Sequence, residues 1–436
     1  MNPPDSIAVI GAGYVGLSTA AMLLELGHRV TVLDVSEERV QLLRNGKTPI
    51  SEPGLGVILN QALATESVAF ETDSAKAIPG ASMVFLTVGT PTSRDGTADL
   101  SDVRAAIRGV RDLAPNATVV IKSTVPPGTN ALLHDEFPGI RFISNPEFLQ
   151  QGSAVRNSLA PDRVVIGSNN EAARVLMQDL HAPLEAGGAE LVVTDPESAE
   201  IIKYAANSYL AVRVAFINEI ADLCEATGAN IDDVAHAIGL DPRIGPHFLR
   251  AGPGFGGSCF PKDTLALVAA STQLGVRTTI VAAAERSNRN RRSTLTQRVL
   301  DHIGDCPEPT RAAVLGLTFK AGTDDLRESP AVDLIRGLIV EGVDVTVYDP
   351  EGTSVADAYV PGATVADTAI AATVDADILV IATEWPEFSE LDFPTVAALM
   401  RGNQVVDLRN ILDHEAVADA GLSLHQIGKP SARAKP

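Results

Sequence analysis

Asp5-Ser-Ile-Ala-Val-Ile-Gly-Ala-Gly-Tyr-Val-Gly16, followed by an apolar helical stretch to Gly27 and by Arg29-Val-Thr-Val-Leu-Asp34, decides the fold. The first apolar run predicts a strand from Asp5 to Ile10, the glycine-rich turn opens a helix, and Arg29 to Leu33 predicts a second strand. Gly11 suits the tight turn, Gly13 lets the backbone approach a pyrophosphate, and Gly16 permits close helix packing; Tyr14 and Val15 complete the turn. Asp34 stands 18 residues after Gly16, at the end of the second strand, where a carboxylate accepts hydrogen bonds from the adenosine ribose. It also disfavours a 2′-phosphate, so the expected cofactor is NAD, with Arg39 the one nearby cation that argues for NADP. A GxGxxG alone is weak, but the whole strand, turn, helix, strand and acid unit is specific.

Working outward, apolar runs at Ser82 to Val88, Thr118 to Lys122 and Arg141 to Ser144 alternate with helical segments, as in a doubly wound parallel sheet. This gives an NAD-binding, Rossmann-like domain over 1–193. From Thr194-Asp-Pro-Glu the pattern becomes one helix of about 32 residues, stopped near Gly228 and roughly 48 Å long, apolar around most of its circumference. Helices follow at Ile231 to Gly239 and Thr264 to Gly275, up to the charged, Asn-rich stretch Glu285 to Arg292. We read 194–303 as a central helix and helical dimerisation region. Strands at Ala312 to Leu317, Val343 to Tyr348, Ile378 to Thr383 and Gln404 to Leu408 then predict a second α/β domain over 304–428, with a tail over 429–436. Its first strand leads into Gly316-Leu-Thr-Phe-Lys320 without a GxGxxG, so no second dinucleotide is expected there. The fold class is α/β: two Rossmann-like doubly wound parallel-sheet domains joined by a long central helix.

The chain has 436 residues, 45% hydrophobic and 20% charged, with a net charge of −21. That acidity argues against nucleic acid and anionic membrane surfaces as partners. No 18-residue apolar run occurs, and Met1-Asn-Pro-Pro-Asp lacks the features of a signal peptide, so a cytoplasmic protein is expected. Cys224, Cys259 and Cys306 are too few and too scattered for a disulfide framework or a metal site. Cys224 reads as helix core and Cys306 as a loop residue.

Cys259 is different, because Gly252-Pro-Gly-Phe-Gly-Gly-Ser-Cys-Phe-Pro-Lys-Asp-Thr264 sets it in a glycine-dense loop before a helix start. A helix N-terminus and a nearby lysine favour the thiolate, and the glycines let backbone amides approach a substrate. On the long helix, Lys203 and Asn207 are four apart among apolar residues, donors suited to a developing alkoxide, or else an exposed stripe. Lys122-Ser-Thr-Val-Pro-Pro-Gly128 and Asn145-Pro-Glu-Phe148 follow strand ends, which aims Thr124 and Glu147 at the ligand crevice unless both are ordinary turn chemistry. Arg243, Lys320, Arg327 and Arg409 are candidate phosphate or carboxylate contacts, or solvated charges.

On these motifs the chain resembles the UDP-glucose/GDP-mannose dehydrogenase family over nearly all its length. Matching segments in the first half are Gly11 to Gly16, Glu52-Pro-Gly-Leu55, Gly89-Thr-Pro-Thr92 with Asp95-Gly96, Lys122 to Pro126, Asn145 to Leu149 and Pro161-Asp-Arg163. Further on they are Lys203 to Asn207, Arg243-Ile-Gly245, the Cys259 loop, Phe319-Lys320 and Leu326-Arg-Glu-Ser-Pro330. The resemblance implies that the C6 hydroxymethyl of a nucleotide sugar is oxidised to a carboxylate with reduction of two NAD. UDP-glucose is the first substrate implied; TDP-glucose, GDP-mannose and UDP-N-acetylmannosamine are alternatives. Asp263, through a water held with Lys203, Asn207 and Thr124, would take the hydroxyl proton. Cys259 would attack the aldehyde and carry a thiohemiacetal and then a thioester, Glu147 would assist hydrolysis, and Lys203 would steady the oxyanions.

The resemblance assigns sugar-nucleotide contacts to Phe148, Leu149, Gln151, Phe248, Leu249, Gly256, Phe319, Lys320 and Arg409, together with Glu147, Lys203 and Asn207. Arg243 would reach the substrate of a neighbouring subunit, while Thr90, Thr124 and Arg327 would sit by the cofactor. The long helix, apolar around most of its circumference and longer than one domain, also predicts a homo-oligomer, a dimer or higher, packed through it. One departure stands out: where the family reads Phe-Leu-x-Glu-Gly, this chain has Phe148-Leu-Gln-Gln-Gly152, and Gln151 can hold a water but not take a proton. Two other classes stay open, a two-electron 3-hydroxyacid dehydrogenase and a non-catalytic sugar-nucleotide binding protein.

Overall fold

The strand expected at the amino end forms as β1, Ser6–Ile10, and its alternation sets the layering. Ile7 and Val9 enter one hydrophobic core while Ala8 and Ile10 enter another, because successive side chains of a strand face opposite sides. Burial on both faces is what a helix-covered parallel sheet requires. The computed structural model describes residues 6–93, 96–303 and 309–430; Asp95, Cys306 and most of the expected tail lie outside the described residues. The chain divides into two compact units, Met1–Ala206 with Leu265–Arg277, and Asn207–Thr264 with Thr278–Pro436.

The first unit carries β1, β2 (Arg29–Leu33), β3 (Val68–Glu71), β4 (Met83–Leu86), β5 (Thr118–Ile121), β6 (Arg141–Ser144), β7 (Arg163–Gly167) and β8 (Glu190–Thr194), in the order β3-β2-β1-β4-β5-β6-β7-β8. Pairs from β3 through β6 are parallel. To this doubly wound sheet β7 and β8, parallel to each other, are added in the opposite sense through Ser144 and Gly167. The carboxyl ends of β1, β4, β5 and β6 therefore lie side by side. Strand order reverses between β1 and β4, the place where such sheets bind ligands.

The second unit carries β9 (Arg311–Leu315), β10 (Asp344–Tyr348), β11 (Thr364–Val365), β12 (Ile378–Ile381), β13 (Gln404–Asp407) and β14 (Ser423–Gln426), ordered β11-β10-β9-β12-β13-β14 and parallel throughout. Here too Ala312 and Val314 face one core and Ala313 and Leu315 the other. Asp349 follows β10 as Asp34 follows β2. Its carboxylate is occupied by its own chain, accepting from the Leu317 N–H at 2.7 Å, the Thr318 N–H at 3.0 Å and the Trp385 indole at 3.1 Å.

The long helix forms over Pro196–Thr227, 32 residues. Asp195 caps it, accepting the Ser198 N–H at 2.7 Å, and Gly228 at φ +75° ends it. Tyr204, Ala211, Ile217 and Cys224 are buried along it. Ile231–Gly239 is helical as expected. The helix expected from Thr264 begins earlier, at Phe260, and runs to Gln273, so Cys259 directly precedes its first turn. The Asn-rich stretch lies inside a helix, Thr279–Leu300. Among the described residues no helix is long and apolar enough to cross a membrane.

Candidate active site

The turn after β1 has the shape a dinucleotide needs. A Cβ at Gly16 would fall 1.8 Å from the Gly11 carbonyl oxygen, whereas one at Gly13 would meet nothing within 4 Å, so the turn is closed on its protein side and open where a pyrophosphate would approach. Tyr14 and Val15 begin the helix Tyr14–Glu25. Asp34 is buried and accepts the Ala12 N–H at 2.7 Å, the Ser36 N–H at 2.9 Å and Arg39 Nη1 at 3.0 Å. Arg39, the cation that argued for a 2′-phosphate, is thus paired with the Asp34 carboxylate that follows β2. The Thr90 hydroxyl donates to the Thr124 carbonyl at 2.8 Å, joining the loops after β4 and β5. These residues fit NAD.

Beyond β6 the first unit buries a group of charges. Lys203 Nζ lies 2.9 Å from Glu147 Oε1, the Leu149 N–H donates to Glu147 Oε2 at 2.6 Å, and Lys122 Nζ donates to Asn145 Oδ1 at 3.0 Å. Lys203 and Asn207 are buried, which removes the exposed-stripe alternative. Burial pushes the Glu147 carboxyl up, but the Lys203 ammonium, the Leu149 N–H and Lys122 outweigh it and hold it below the usual carboxylate range. Burial lowers Lys122 to about 8. Glu147 is therefore an anion at neutral pH, able to orient a water and a weak base. The Phe148 ring has the Arg163 guanidinium 3.9 Å from its centroid and Lys203 Nζ at 5.5 Å. Gly152, closing the loop that contains Gln151, donates its N–H to the buried Glu52 carboxylate at 2.9 Å. A cavity of about 310 Å³ lies against this loop, lined by Lys122, Glu147, Phe148, Leu149, Arg163 and His181 among others.

In the second unit, half-buried Cys259 accepts, through its carbonyl, the Asp263 N–H at 2.8 Å. Asp263 is buried, its Oδ2 accepting Asn207 Nδ2 at 2.6 Å and its Oδ1 accepting Lys262 Nζ at 2.6 Å. The lysine expected to favour the thiolate is therefore committed to Asp263, because a carboxylate one residue away is its nearest counter-ion. The cation whose field Cys259 shares is Arg327, which the Asp325 carboxylate holds above its ordinary value, with a smaller contribution from Cys259. The thiol loop is fixed against the segments bearing Phe319 and Arg327. The Gly257 N–H donates to the Arg327 carbonyl at 3.0 Å, and a Cβ at Gly257 would fall 2.8 Å from the Phe319 ring.

A cavity of about 220 Å³ in the same unit is lined by Phe248, Gly256, Phe319, Lys320 and Arg409, all singled out from the sequence, and by Asn218, Arg250, Phe255, Phe260 and Glu384, which were not. Phe260 packs at 6.0 Å between ring centroids against both Phe248 and Phe255, giving an aromatic wall beside basic groups, as a nucleotide requires. Arg409 is oriented by the Ala382 and Phe319 carbonyls and by Glu384. Leu249 does not line this cavity; it packs in the core. Arg243 is exposed and pairs with Asp241 at 2.6 Å. Positive φ angles at Phe248, Glu328 and Asn410, of 61°, 53° and 54°, put strained backbone next to the cavity and the thiol loop.

The chain matches the UDP-glucose/GDP-mannose dehydrogenase family in three sections: its NAD binding domain over residues 5–185, its central domain over 197–290 and its UDP binding domain over 313–414. It is 43% identical over 434 residues to a UDP-glucose 6-dehydrogenase of Rhizobium meliloti, covering 97% of this chain and 99% of that protein. Among solved structures, a UDP-glucose dehydrogenase from Pyrobaculum islandicum superposes with a TM-score of 0.87 at 38% identity, covering 94% of this chain and 95% of that one. A UDP-D-ManNAc dehydrogenase from Pyrococcus horikoshii gives 0.85 at 30% identity, covering 97% and 99%. With all three family sections matched in order and a relative 43% identical over nearly the whole of both chains, the chain belongs to the UDP-glucose/GDP-mannose dehydrogenase family, NAD-dependent oxidoreductases that oxidise nucleotide sugars by four electrons.

Proposed function

We propose that this protein oxidises UDP-glucose to UDP-glucuronate. The observation that carries the substrate is the near full-length identity to a UDP-glucose 6-dehydrogenase, 43% against 30% for the UDP-D-ManNAc enzyme. NAD, held by the Gly11 to Gly16 turn and Asp34, would supply the hydride acceptor for each of the two oxidations at C6. The residues of the chain do the remaining work. Asp263, oriented by Asn207 and Lys262, takes the hydroxyl proton through a water, with Thr124 among the groups that hold that water. Cys259 Sγ bonds to the aldehyde carbon, the thiohemiacetal becomes a thioester as the second hydride leaves, and water displaces the thiolate to release the acid. Lys203 steadies the oxygen anions. Glu147, already ionised, orients the hydrolytic water. Phe248, Phe319, Lys320 and Arg409 take the nucleotide, aided by Arg250 from the cavity lining.

The same reading divides the chain into a cofactor domain over 1–193, a helical region over 194–303 and a nucleotide-sugar domain over 304–428, and puts the protein in the cytoplasm. It also makes the protein at least a dimer. Ile201, Tyr209, Phe216 and Leu223 are 50, 60, 49 and 58% exposed, and their spacing of seven or eight residues puts them along one stripe of the long helix. Light scattering should find a dimer or larger; a monodisperse monomer would overturn this part.

Cys259→Ser tests the chemistry. Given UDP-glucose and NAD, it should complete the first oxidation and stall before acid release, because a serine hydroxyl is a poor nucleophile at neutral pH. Wild-type turnover to UDP-glucuronate would rule out the thioester.

A further inference from the structure

We propose that Glu200 is a positioning residue that sets Thr124, Glu147 and Lys203 relative to one another, by joining the loop after β5, the end of β6 and the long helix through one buried carboxylate. This rests on those three being site residues, as read above. Glu200 is 3% exposed. Its Oε2 accepts the Gly128 N–H at 2.6 Å and its Oε1 accepts the Asn130 N–H at 2.8 Å. Gly128 closes the loop that begins at Lys122 and carries Thr124. The Ser144 hydroxyl, at the end of β6 and three residues before Glu147, lies 3.5 Å from Oε1 and accepts from Asn130 Nδ2 at 3.0 Å.

Lys203 follows Glu200 by three residues and lies on the same face of the helix. The helix is thus held at two points about one turn apart, by Glu200 on the Gly128 and Asn130 amides and by Lys203 on Glu147. Two such points fix the rotation of the helix about its own axis, and with it the direction of Lys203. The chemistry of the joint demands a carboxylate, because both partners are N–H donors and each needs an acceptor. Glutamine offers one oxygen and would turn an NH2 toward the second donor. The first turn of the helix Thr129–Glu136 favours an anion at the same spot. Burial, reinforced by the Glu197 carboxylate on the same helix, opposes that charge and pushes Glu200 up to about 7.

Glu200→Gln is the test. It should lower kcat at least tenfold, leave UDP-glucose binding within twofold, since the nucleotide cavity belongs to the other unit, and remove an ionisation near pH 7 from the kcat profile. A kcat within threefold of wild type, a matching loss of UDP-glucose affinity, or persistence of that ionisation would overturn the proposal. Should the variant not fold, the wild-type protein decides. Protection of the Gly128 and Asn130 amides from hydrogen exchange should fall between pH 8 and pH 6 beyond the intrinsic pH effect, and constant protection would overturn it. Lys203→Ala separates the two levels: if it is active, the site reading has failed; if it is inactive while Glu200→Gln is not impaired, the positioning role alone has failed.

Discussion

Removing Lys203 should destabilise the first unit, and the size of the effect follows from the burial of its partner. Lys203 and Glu147 are 3% and 6% exposed with 2.9 Å between charged atoms, a separation worth about 6 kcal/mol of attraction at an effective dielectric of 20. Truncation to alanine leaves Glu147 buried without that ammonium, which costs about 3–5 kcal/mol when a buried pair loses one member. The lower end applies here, because the Leu149 N–H and Lys122 still act on the carboxylate. A loss of about 3 kcal/mol lowers the melting temperature of a unit of this size by roughly 6–12 °C. The double variant Lys203→Met with Glu147→Gln removes both charges and should lie within about 1 kcal/mol of wild type. Calorimetry on the four proteins gives the coupling directly. Activity gives an independent check, since the double variant should regain stability without regaining turnover. Lys203→Ala within about 0.5 kcal/mol of wild type, or a double variant as unstable as the sum of the singles, would refute the reasoning.

Asp34→Ala deprives the Ala12 and Ser36 amides and Arg39 of their acceptor, and should weaken NAD binding at least tenfold in a fluorescence titration while NADP binding changes little; an unaltered Kd for NAD would count against the cradle. Gly257→Ala forces a Cβ to 2.8 Å from the Phe319 ring at φ +79°, so turnover should drop at least tenfold with the cofactor site intact, and normal turnover would show that the thiol loop is free to shift. Buried His181 is lowered by desolvation to about 4, so the unfolded chain binds the extra proton first; stability should fall by about 3 kcal/mol in total as pH drops from 6.5 to 4, and His181→Gln should flatten that slope in urea melts.

What could be read in advance was what local patterns encode. The spacing of Gly11, Gly13 and Gly16, the apolar runs of β1 and β9, and the four-residue step from Lys203 to Asn207 each lie within one element or one turn. The edge strands Val68–Glu71 and Glu190–Thr194 escaped notice because the apolar run in each is only three residues long, Val68-Ala-Phe70 and Leu191-Val-Val193, and the side chains of the second are half exposed. Pairings across long separations were equally hidden. The bonds from Glu52 to Gly152 span 100 residues and those from Glu200 to Gly128 span 72, and no periodicity announces them. Leu249 illustrates a further limit, since only the positive φ at Phe248 distinguishes the ring that lines the cavity from the neighbour that packs in the core. Lys262 was visible, but its commitment to Asp263 required coordinates.

The central claim is a four-electron oxidation completed on one enzyme, and its most direct measurement is the amount of NADH formed per UDP-glucose consumed. With purified protein, excess NAD and limiting UDP-glucose, the account predicts two NADH for each UDP-glucuronate recovered and no free aldehyde. One NADH per sugar, or none, would contradict it.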